Sequence, residues 1–497
     1  MIEKLKQLMR DSLIYGLGKY INTFIGIIFV PMYTRIFPPS EYGVVDLIGS
    51  TISIIVMFLI LGLDSATALY FYDTEDIRDR KIIVSTSFYF RMALSIVICS
   101  MLFFSSEFIS ELIFNSKEYA IYLKIGVASI PFSLAIGFFL DLMRLKFESL
   151  KFSVISIGNT IVTSILIIYL IIFLKLGIVG IFIGMLISNI IFFFIGIYLT
   201  YKEYILSFSL PRLRNLLSFG LPLFPSSIAI WLLTFSDRYF LVKYSTLNEV
   251  GLYSIGVKLS HILLLVTSAF QLSWGPFAFS IQKESDAKNI YSKVLTYYLI
   301  IALFLATGLS FFSKEILMIA TQVEYVEAYK VVGILSYVVI FGGIYYIVSI
   351  GVNLTKKTHY ISFTTGVAAL INIILNFLMI PYLGMVGAAI ASLIANSCSV
   401  FFLYRISQKY YHIDYEINKI IKIILLSGFL ILTSIFLDIN SVILNYLLKL
   451  SLLLSFVVFL ILYVFEKNEV DFINKMANNI LLKIRKWLLN VWNSRHL

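Results

Sequence analysis

The segment LKLGIVGIFIGMLISN at residues 174–189 returns as PYLGMVGAAIASLIAN at residues 381–396. The glycine and asparagine positions of the two copies align: Gly177 with Gly384, Gly180 with Gly387, and Asn189 with Asn396. A repeat of this kind predicts that the chain is built from two similar units.

A second pair of segments supports the same division. IFPPSEYGVVDL at residues 36–47 resembles YSTLNEVGLYSI at residues 244–255, with nearly the same shift along the chain. The aligned residues are Glu41 with Glu249 and Gly43 with Gly251. Chance resemblance between short glycine-containing apolar segments explains either pair alone. Two pairs of segments that are separated by nearly the same number of residues favour an internal duplication.

Apolar residues dominate the composition and indicate that the bilayer is the solvent of this chain. The 497 residues are 60% hydrophobic and 13% charged, and the mean hydropathy is +0.94, which excludes a soluble core wrapped in a polar surface. A helix needs about 20 apolar residues to cross the hydrocarbon layer. This length predicts an all-α polytopic fold with fourteen spans, at residues 12–37, 43–71, 84–105, 119–142, 152–174, 177–200, 217–243, 251–279, 294–313, 328–353, 359–380, 384–404, 418–438 and 446–465.

The positive charges orient these spans. Most of the 39 Lys and Arg lie in the two terminal segments and in alternate loops. The opposite loops carry at most one each: Arg35, Lys117, Lys175, Lys243, Lys314 and Lys449. Because cytoplasmic loops are enriched in Lys and Arg, the pattern predicts a multi-pass plasma-membrane protein with both termini in the cytoplasm. The net charge of +11 follows from topology and gives no reason to expect a nucleic-acid partner.

The duplication and the topology together predict the domain organisation. Residues 1–207 form an N-lobe of spans 1–6, residues 208–412 form a C-lobe of spans 7–12, and residues 413–466 hold spans 13 and 14. Units of six spans begin and end on one side, so the lobes are parallel repeats around a pseudo-twofold axis along the membrane normal, with a cavity between them. Residues 467–497 are predicted to be a basic amphipathic cytoplasmic tail; a helix on the membrane surface and a solvated segment both fit its pattern.

Charged residues inside spans mark candidate functional positions, since a charge near the bilayer centre costs about 2.5–3.5 kcal/mol. Arg238 on span 7 and Lys258 on span 8 lie roughly 10 Å from the outer surface by helical rise. Arg binds phosphate with a planar fork and Lys as a point charge. The predicted role of both is substrate binding in a cationic cavity, and snorkelling to the headgroups is the alternative.

Three charges form a second tier, roughly 10 Å from the cytoplasmic surface. They are Lys19, Asp64 and Arg91, on the first three spans. Lys19 and Arg91 join the predicted cationic substrate site, although both are long enough to snorkel. Asp64 is predicted to be a charge-pair partner, with Lys19 as one candidate, or a cation ligand.

Two further titratable residues belong to the upper tier. Asp237 is next to Arg238, and adjacent helical residues do not face each other, so Asp237 is expected to pair elsewhere or to bind a cation. His261 lies one turn from Lys258 on the same face. A hydrogen-bonded interior histidine and a proton relay both remain open for it.

The sequence shows no pattern typical of an enzyme. GLGK at residues 16–19 lacks the spacing of a phosphate-binding loop, and the two cysteines, Cys99 and Cys398, lie within spans as packing residues. No metal-ligand cluster and no nucleophile with a placed base is found. We therefore expect a protein without enzymatic activity, cofactor or metal centre, in which any transport is powered by a gradient or by downstream consumption.

Four segments resemble a known family. They are VPMYTRIFPPSEYGVVDL at residues 30–47, SDRYFLVKYSTLNEVGLYSIGVKLS at 236–260, QLSWGPFAF at 271–279 and NIILNFLMIPYLGMVGAAIASLIAN at 372–396. They are similar to the polysaccharide transporter branch of the multidrug, oligosaccharidyl-lipid and polysaccharide exporter superfamily, which includes the Wzx-type flippases of lipid-linked oligosaccharides. The resemblance runs from span 1 to span 12, and the block over spans 7 and 8 is the most specific part.

The resemblance implies a function. A flippase of this family has two six-helix lobes in a V shape and a cationic cavity lined by spans 1, 2, 7 and 8. The cavity receives the diphosphate and sugars of an undecaprenyl-linked repeat unit, such as an O-antigen unit, and carries them across the bacterial cytoplasmic membrane by alternating access. The polyprenyl tail stays in lipid, beside a groove associated with the two extra spans. The implied partners are the lipid-linked glycan, membrane lipids, a coupling ion (Na⁺ or H⁺) and the polymerase or export machinery of a glycan pathway.

Two other functions remain open on the same scaffold. One is a cation-coupled multidrug exporter, and the other is a membrane assembly partner that transports nothing. Exporters of cationic drugs need acidic cavities, whereas buried cations outnumber buried anions in this sequence. The sequence therefore favours an anionic substrate.

Overall fold

The computed structural model describes residues 21, 24–26, 28–436, 442–466 and 468–469. Every regular element in these residues is helical. In chain order the helices are α1 Pro39–Ile60, α2 Leu63–Asp73, α3 Ile77–Phe104, α4 Ser106–Phe114, α5 Ala120–Leu145, α6 Ser149–Ile168, α7 Gly177–Thr200, α8 Leu210–Gly220, α9 Phe224–Tyr244, α10 Leu247–Ser260, α11 Leu263–Ser280, α12 Ala287–Ala320, α13 Tyr329–Val348, α14 Ile350–Leu354, α15 His359–Tyr410, α16 Ile417–Phe436 and α17 Val442–Tyr463. Short π- or 3₁₀-turns occupy Tyr169–Phe173, Tyr201–Glu203, Leu221–Leu223 and Val323–Ala328, and a helical segment over Phe24–Ile36 precedes α1.

The predicted all-α membrane fold is confirmed. Within the described part of the chain, 11 helices are long and apolar enough to cross a membrane, so the protein is a multi-pass membrane protein. The count of fourteen spans stays a prediction, because nearly half of the predicted span 12–37 lies outside the described residues. The predicted tail at 467–497 also lies outside it, apart from residues 468–469.

Several predicted spans are broken rather than continuous. The span predicted at 43–71 divides at Leu61 and Gly62, both of which have positive φ. The span predicted at 251–279 divides between α10 and α11. The two spans predicted at 359–380 and 384–404 are the two halves of α15, separated by Gly384 with φ 53° and ψ −133°. Apolar run length separated the two halves of α15, but it did not reveal the bend at Gly62 or the break between α10 and α11.

The chain divides into two compact units. The first comprises Met1–Gln282 with Phe312–His412, and the second comprises Lys283–Phe311 with Ile413–Leu497. In the first unit, buried apolar side chains of α9, α10, α13 and α15 form one cluster, and those of α3, α5 and α7 form another. In the second unit, Lys419 joins Glu416 at 2.7 Å to Glu466 at 3.1 Å. The predicted division into N-lobe and C-lobe stays a prediction.

The two aligned turns share an unusual backbone conformation. Gly177 has φ 55° and Gly384 has φ 53°, a left-handed geometry that favours glycine. Gly177 is the first residue of α7, and Gly384 lies inside α15. The small residues that follow each glycine permit close helix packing. The observed geometry therefore agrees with the alignment of the two segments in the sequence.

The aligned glycines Gly43 and Gly251 lie at one helix crossing. Helices α1 and α10 approach so closely there that a Cβ on Gly43 would overlap the carbonyl oxygen of Leu247. A Cβ on Gly251 would overlap the carbonyl oxygen of Pro39. Small residues are the usual means by which membrane helices reach such a distance, and the crossing brings the polar residues of α1 against α9 and α10.

Candidate functional site

The turn between α9 and α10 sets the positions of the upper-tier charges. Helix α9 ends at Tyr244, and the Thr246 hydroxyl caps α10 by accepting a hydrogen bond from the Glu249 N–H at 3.2 Å. A threonine at the N-cap with glutamate three residues later is a common start signal for a helix. The turn folds α10 back beside α9, so that Arg238 and Lys258 lie on neighbouring helices.

Arg238 is paired with a carboxylate on α1. Its Nε donates to Asp46 Oδ2 at 2.8 Å, and its Nη1 donates to the Thr234 carbonyl at 2.6 Å. The guanidinium also lies 5.2 Å from the ring centroid of Phe235 and 5.6 Å from that of Tyr253. Only 4% of Arg238 is exposed, so this is a buried ion pair rather than a cation that snorkels to the surface.

A second donor holds the same carboxylate. The Ser254 hydroxyl donates to Asp46 Oδ2 at 2.6 Å. Asp46 and Ser254 occupy aligned positions of the two repeats, 208 residues apart. A hydrogen bond of 2.8 Å between the hydroxyls of Thr51 and Tyr239 adds a further link between α1 and α9. Polar contacts thus fasten α1 to both α9 and α10.

Lys258 lies beside this pair and lines a cavity of about 330 Å³ together with Asp46, Tyr33 and Tyr42. Its ammonium lies 4.9 Å from the ring centroid of Tyr42, and the side chain is partly buried. An ammonium over an aromatic face is stabilised by the ring quadrupole. The contact keeps a positive charge at the wall of the cavity.

Arg238 lines a second cavity, of about 310 Å³, with Asp237, His261 and Asn396 among its other lining residues. His261 lies at the break between α10 and α11. Since Asp46 lines the first cavity and Arg238 the second, the ion pair between them lies at the boundary of the two spaces.

Asp237 turns away from Arg238 into a network of neutral donors. Asp237 is 1% exposed and accepts hydrogen bonds from Tyr253 at 2.5 Å, from Ser392 at 2.8 Å and from Asn376 at 2.7 Å. Asn376 also donates to Asn372 at 3.1 Å. The network joins α9 and α10 to both halves of α15.

One atom of this network lacks a partner. The side-chain oxygen of Asn376 is buried and accepts no hydrogen bond from the described residues. A buried carbonyl oxygen without a donor costs roughly 1–3 kcal/mol. Oxygen ligands of this type suit a hard cation.

In the lower tier the structure places Arg91 and Asp64 around one small space. Arg91 is 3% exposed, and its guanidinium lies 5.6 Å from the ring centroid of Phe138. Asp64, Arg91 and Asp141 line a cavity of about 10 Å³, roughly the room for one water molecule. The Arg91 Nε has no hydrogen-bond partner among the described residues. Lys19, the third member of the predicted tier, lies outside the described residues.

The structure changes the expectation for Arg238. Arg238 and Lys258 were expected to offer their charges together to one cavity, but they line different cavities, and Arg238 is held by Asp46. Asp46 went unnoticed because it lies near the predicted start of its span, where a carboxylate reaches the headgroups without cost. Its alignment with Ser254 was the signal that could have identified it.

The polar partners of Asp237 were also missed. Asn372 and Asn376 are four residues apart in an apolar span, which puts both amides on one face of a helix. That spacing was a usable signal. The contact with Ser392 depends on the fold of α15 around Gly384, which no local pattern gives.

Two cations and two carboxylates adjoin the two cavities. Arg238 and Lys258 supply the positive charges, and Asp46 supplies a negative charge that is paired with Arg238. The Asp237 carboxylate is surrounded by neutral donors, so it is satisfied without the guanidinium. Arg and Lys in partly dry surroundings are the residues that bind phosphate groups.

A family model described as "Polysaccharide biosynthesis protein" matches residues 8–282, which is more than half of the chain. The chain belongs to this polysaccharide biosynthesis family. The membership confirms the resemblance that the sequence segments indicated, and the matched range includes Asp46, Asp64, Arg91, Asp237, Arg238, Lys258 and His261.

One curated relative of this chain is the "Uncharacterized membrane protein MJ1068" of Methanocaldococcus jannaschii. It is 29% identical over 197 residues, and the match spans 37% of this chain and 37% of the relative. The matched region is thus well under half of either protein.

Solved structures share the fold. A "Lipid II flippase MurJ, inward closed conformation" superposes with a TM-score of 0.72 and 19% identity, over 91% of this chain and 99% of that chain. An inward-facing multidrug resistance MATE family transporter of the MOP superfamily superposes with a TM-score of 0.66 and 14% identity, over 78% of this chain and 94% of that chain. A MATE transporter of Vibrio cholerae superposes with a TM-score of 0.56 and 16% identity, over 81% of this chain and 96% of that chain. At such identities the likeness establishes that this member of the polysaccharide biosynthesis family shares the fold of these proteins.

Proposed function

We propose that this protein is a flippase that moves an undecaprenyl-diphosphate-linked oligosaccharide, an O-antigen or similar repeat unit, across the bacterial cytoplasmic membrane by alternating access. The observation that carries the proposal is the position of Arg238 and Lys258 on two adjoining cavities within the first compact unit. Burying charge among membrane helices costs several kcal/mol unless it is paired or serves a substrate. A diphosphate is the part of such a lipid that these two cations would bind.

The rest of the substrate follows from the same chemistry. Sugars are polar and need a water-accessible path, whereas the polyprenyl chain is as apolar as the bilayer and can remain there. Family membership and the fold shared with a lipid II flippase support this assignment. The excess of Lys and Arg in alternate loops supports cytoplasmic termini. The downstream partner in this proposal is the polymerase or export machinery of a glycan pathway.

The lower tier has a supporting role in the proposal. Arg91 with Asp64, and Lys19 from the first span, would contact the headgroup near the cytoplasmic entrance. Arg91 is deeply buried and its Nε lacks a partner among the described residues, so a bound polar group would satisfy it.

The coupling ion is assigned to the neighbourhood of Asp237. A sodium ion there would have the Asp237 carboxylate, the unpartnered Asn376 oxygen and the Ser392 hydroxyl within its surroundings. Hard cations prefer such oxygen ligands. A proton on His261, which lines the neighbouring cavity, is the second candidate for coupling.

The decisive variant removes both cations at once. Arg238→Gln with Lys258→Met should lower surface glycan at least about tenfold in a host that lacks its own copy, since losing 1.4 kcal/mol of binding already gives tenfold. Lys243→Met with Arg214→Gln removes the same two charges from exposed positions and should leave surface glycan unchanged. The amount of each variant in the membrane is measured in parallel, because Asp46 without Arg238 is an unpaired buried charge.

The alternatives predict different outcomes. Unchanged surface glycan at equal membrane levels would contradict a flippase and favour the assembly partner or the multidrug exporter. Accumulation of cationic drugs in the host distinguishes those two, because only an exporter changes it.

A further inference from the structure

Asp46 occupies the position that an anionic ligand of Arg238 would take. One oxygen of its carboxylate receives the Arg238 Nε at 2.8 Å and the Ser254 hydroxyl at 2.6 Å. Donors of this kind, a guanidinium edge with a nearby hydroxyl, are those that bind phosphate oxygens in proteins. The chain therefore presents an internal anion at its candidate phosphate site.

The same carboxylate joins two sets of helices. Asp46 is on α1, whereas Arg238 is on α9 and Ser254 is on α10. One turn away along α1, Gly43 lies in close backbone contact with α10. Any separation of α1 from α10 must break the bonds of Asp46 to Arg238 and Ser254.

Helix α10 is held to α15 by a separate contact. Glu249 Oε2 accepts a hydrogen bond from the Met385 N–H at 2.8 Å, at the start of the second half of α15. Together with the contacts of Tyr253 and Ser392 to Asp237, this holds α9, α10 and α15 as one body. The bonds of Asp46 thus join α1 to α9 and α10, whereas those of Asp237 join α9 and α10 to α15.

We propose that Asp46 is an internal competitor for the diphosphate of the substrate, so that binding of the diphosphate to Arg238 releases Asp46 and allows α1 to separate from α10. This inference rests on the proposed function and names the event that links binding to the conformational change. Breaking a buried ion pair outright is costly, because each charge is left unpaired. Exchange of one anion for another avoids that cost for Arg238, and Lys258 at the adjoining cavity is the nearby cation toward which Asp46 can turn.

The exchange explains why the site holds two cations and one mobile anion. Without ligand, Asp46 keeps Arg238 neutralised and α1 fastened. With a diphosphate bound, Arg238 faces the added negative charge, and Asp46 is released toward Lys258 in the cavity that those two residues line. A ligand shifts a conformational equilibrium only by its differential affinity for the two states, and here the difference is the competition with Asp46.

The test uses the purified full-length protein and inorganic pyrophosphate as the probe. Spin labels are placed on Lys117→Cys, in the loop before α5, and on Asn248→Cys, in the first turn of α10. Both positions are exposed, and the background carries Cys99→Ala and Cys398→Ala. Pyrophosphate affinity is measured by titration calorimetry, and the distance between the labels is measured by pulsed electron resonance with and without pyrophosphate.

Asp46→Asn is expected to raise the affinity for pyrophosphate at least about tenfold, given the strength of close charge pairs. Without pyrophosphate, this variant should show the label distances that the wild-type protein shows at saturating pyrophosphate. Ser254→Ala removes one of the two bonds to Asp46 and should act several-fold in the same direction, which provides a milder variant if Asp46→Asn does not fold.

Asp79→Asn is the matched control. Asp79 pairs with Arg212 at 2.6 Å, so the control also removes a carboxylate from an arginine, but outside the two cavities. It should change neither the affinity nor the distances.

The inference would be overturned if the wild type, Asp46→Asn and Ser254→Ala bound pyrophosphate with equal affinity. It would also be overturned if none of them bound pyrophosphate, or if the label distances in Asp46→Asn were unchanged. The proposed function fails by a different result, a wild-type protein that does not move a lipid-linked glycan. A protein that moves the glycan and shows no effect of Asp46→Asn would retain the function and lose only this inference.

Discussion

At the scale of single residues, the site depends on how each buried charge is partnered. Arg238 has an ionic partner in Asp46, whereas Asp237 is satisfied by neutral hydroxyl and amide donors. Sequence reasoning identified Arg238, Asp237 and Lys258 because charge is rare in apolar spans. It did not identify their partners. Asp46 lies 192 residues from Arg238, and its alignment with Ser254 pointed to the position but not to the contact.

Asp237 gives a prediction about ion dependence. If sodium binds beside Asp237 and Asn376, then replacing choline by sodium raises the melting temperature of the wild-type protein in detergent, because a ligand that binds only the folded state stabilises it. Asp237→Asn should abolish that increase. It should also lower stability by about 1–3 kcal/mol, because an amide cannot accept all of the present hydrogen bonds.

Asp286→Asn serves as the control, since Asp286 is an exposed aspartate in a loop, and it should keep the full sodium effect. A wild-type melting temperature that is equal in sodium and choline would contradict the assignment of sodium to Asp237.

At the scale of helices, the bends matter more than the straight segments. The break between α1 and α2 at Gly62 lies against the break between α8 and α9 at Gly220, and a Cβ on Gly62 would overlap the backbone of Gly220. The chain before α8 is also fixed to α3, since the N–H groups of Ile205 and Ser209 donate to Ser85 and Thr86 at 2.8 and 3.1 Å. Helix α8, which the predicted division assigns to the C-lobe, therefore packs on α2 and α3.

Gly62 gives a prediction about this double bend. Gly62 has φ 71°, a conformation that costs a residue with a side chain about 1–2 kcal/mol, and the Gly220 backbone leaves no room for a methyl group. Gly62→Ala should therefore lower the free energy of unfolding by about 2 kcal/mol or more, seen as a lower melting temperature in detergent.

Gly137→Ala is the matched control, because Gly137 lies inside α5 with no atom within 4 Å of the added Cβ. It should melt with the wild type or slightly above it. Equal melting of Gly62→Ala and Gly137→Ala would show that the bend at Gly62 is not constrained.

At the scale of the whole molecule, composition and repeats predicted the class of protein better than the details of its site. Apolar runs of membrane length predicted an all-helical membrane protein, and the aligned glycines Gly177 and Gly384 both have positive φ. The alignment of Gly43 with Gly251 also corresponds to a real crossing of α1 and α10. Cavities between distant helices follow from packing, and packing has no periodic signature in a sequence.

The central claim concerns movement of a lipid-linked glycan, and one reconstituted measurement addresses it directly. Purified protein is placed in liposomes with a polyprenyl-diphosphate-linked oligosaccharide that carries a fluorescent sugar, and a membrane-impermeant quencher is added outside. The wild-type protein should expose the inner-leaflet fraction to the quencher, while the Arg238→Gln and Lys258→Met double variant should leave it protected, as in liposomes without protein. Protection that persists with the wild-type protein, or equal loss of protection in the double variant, would contradict the account.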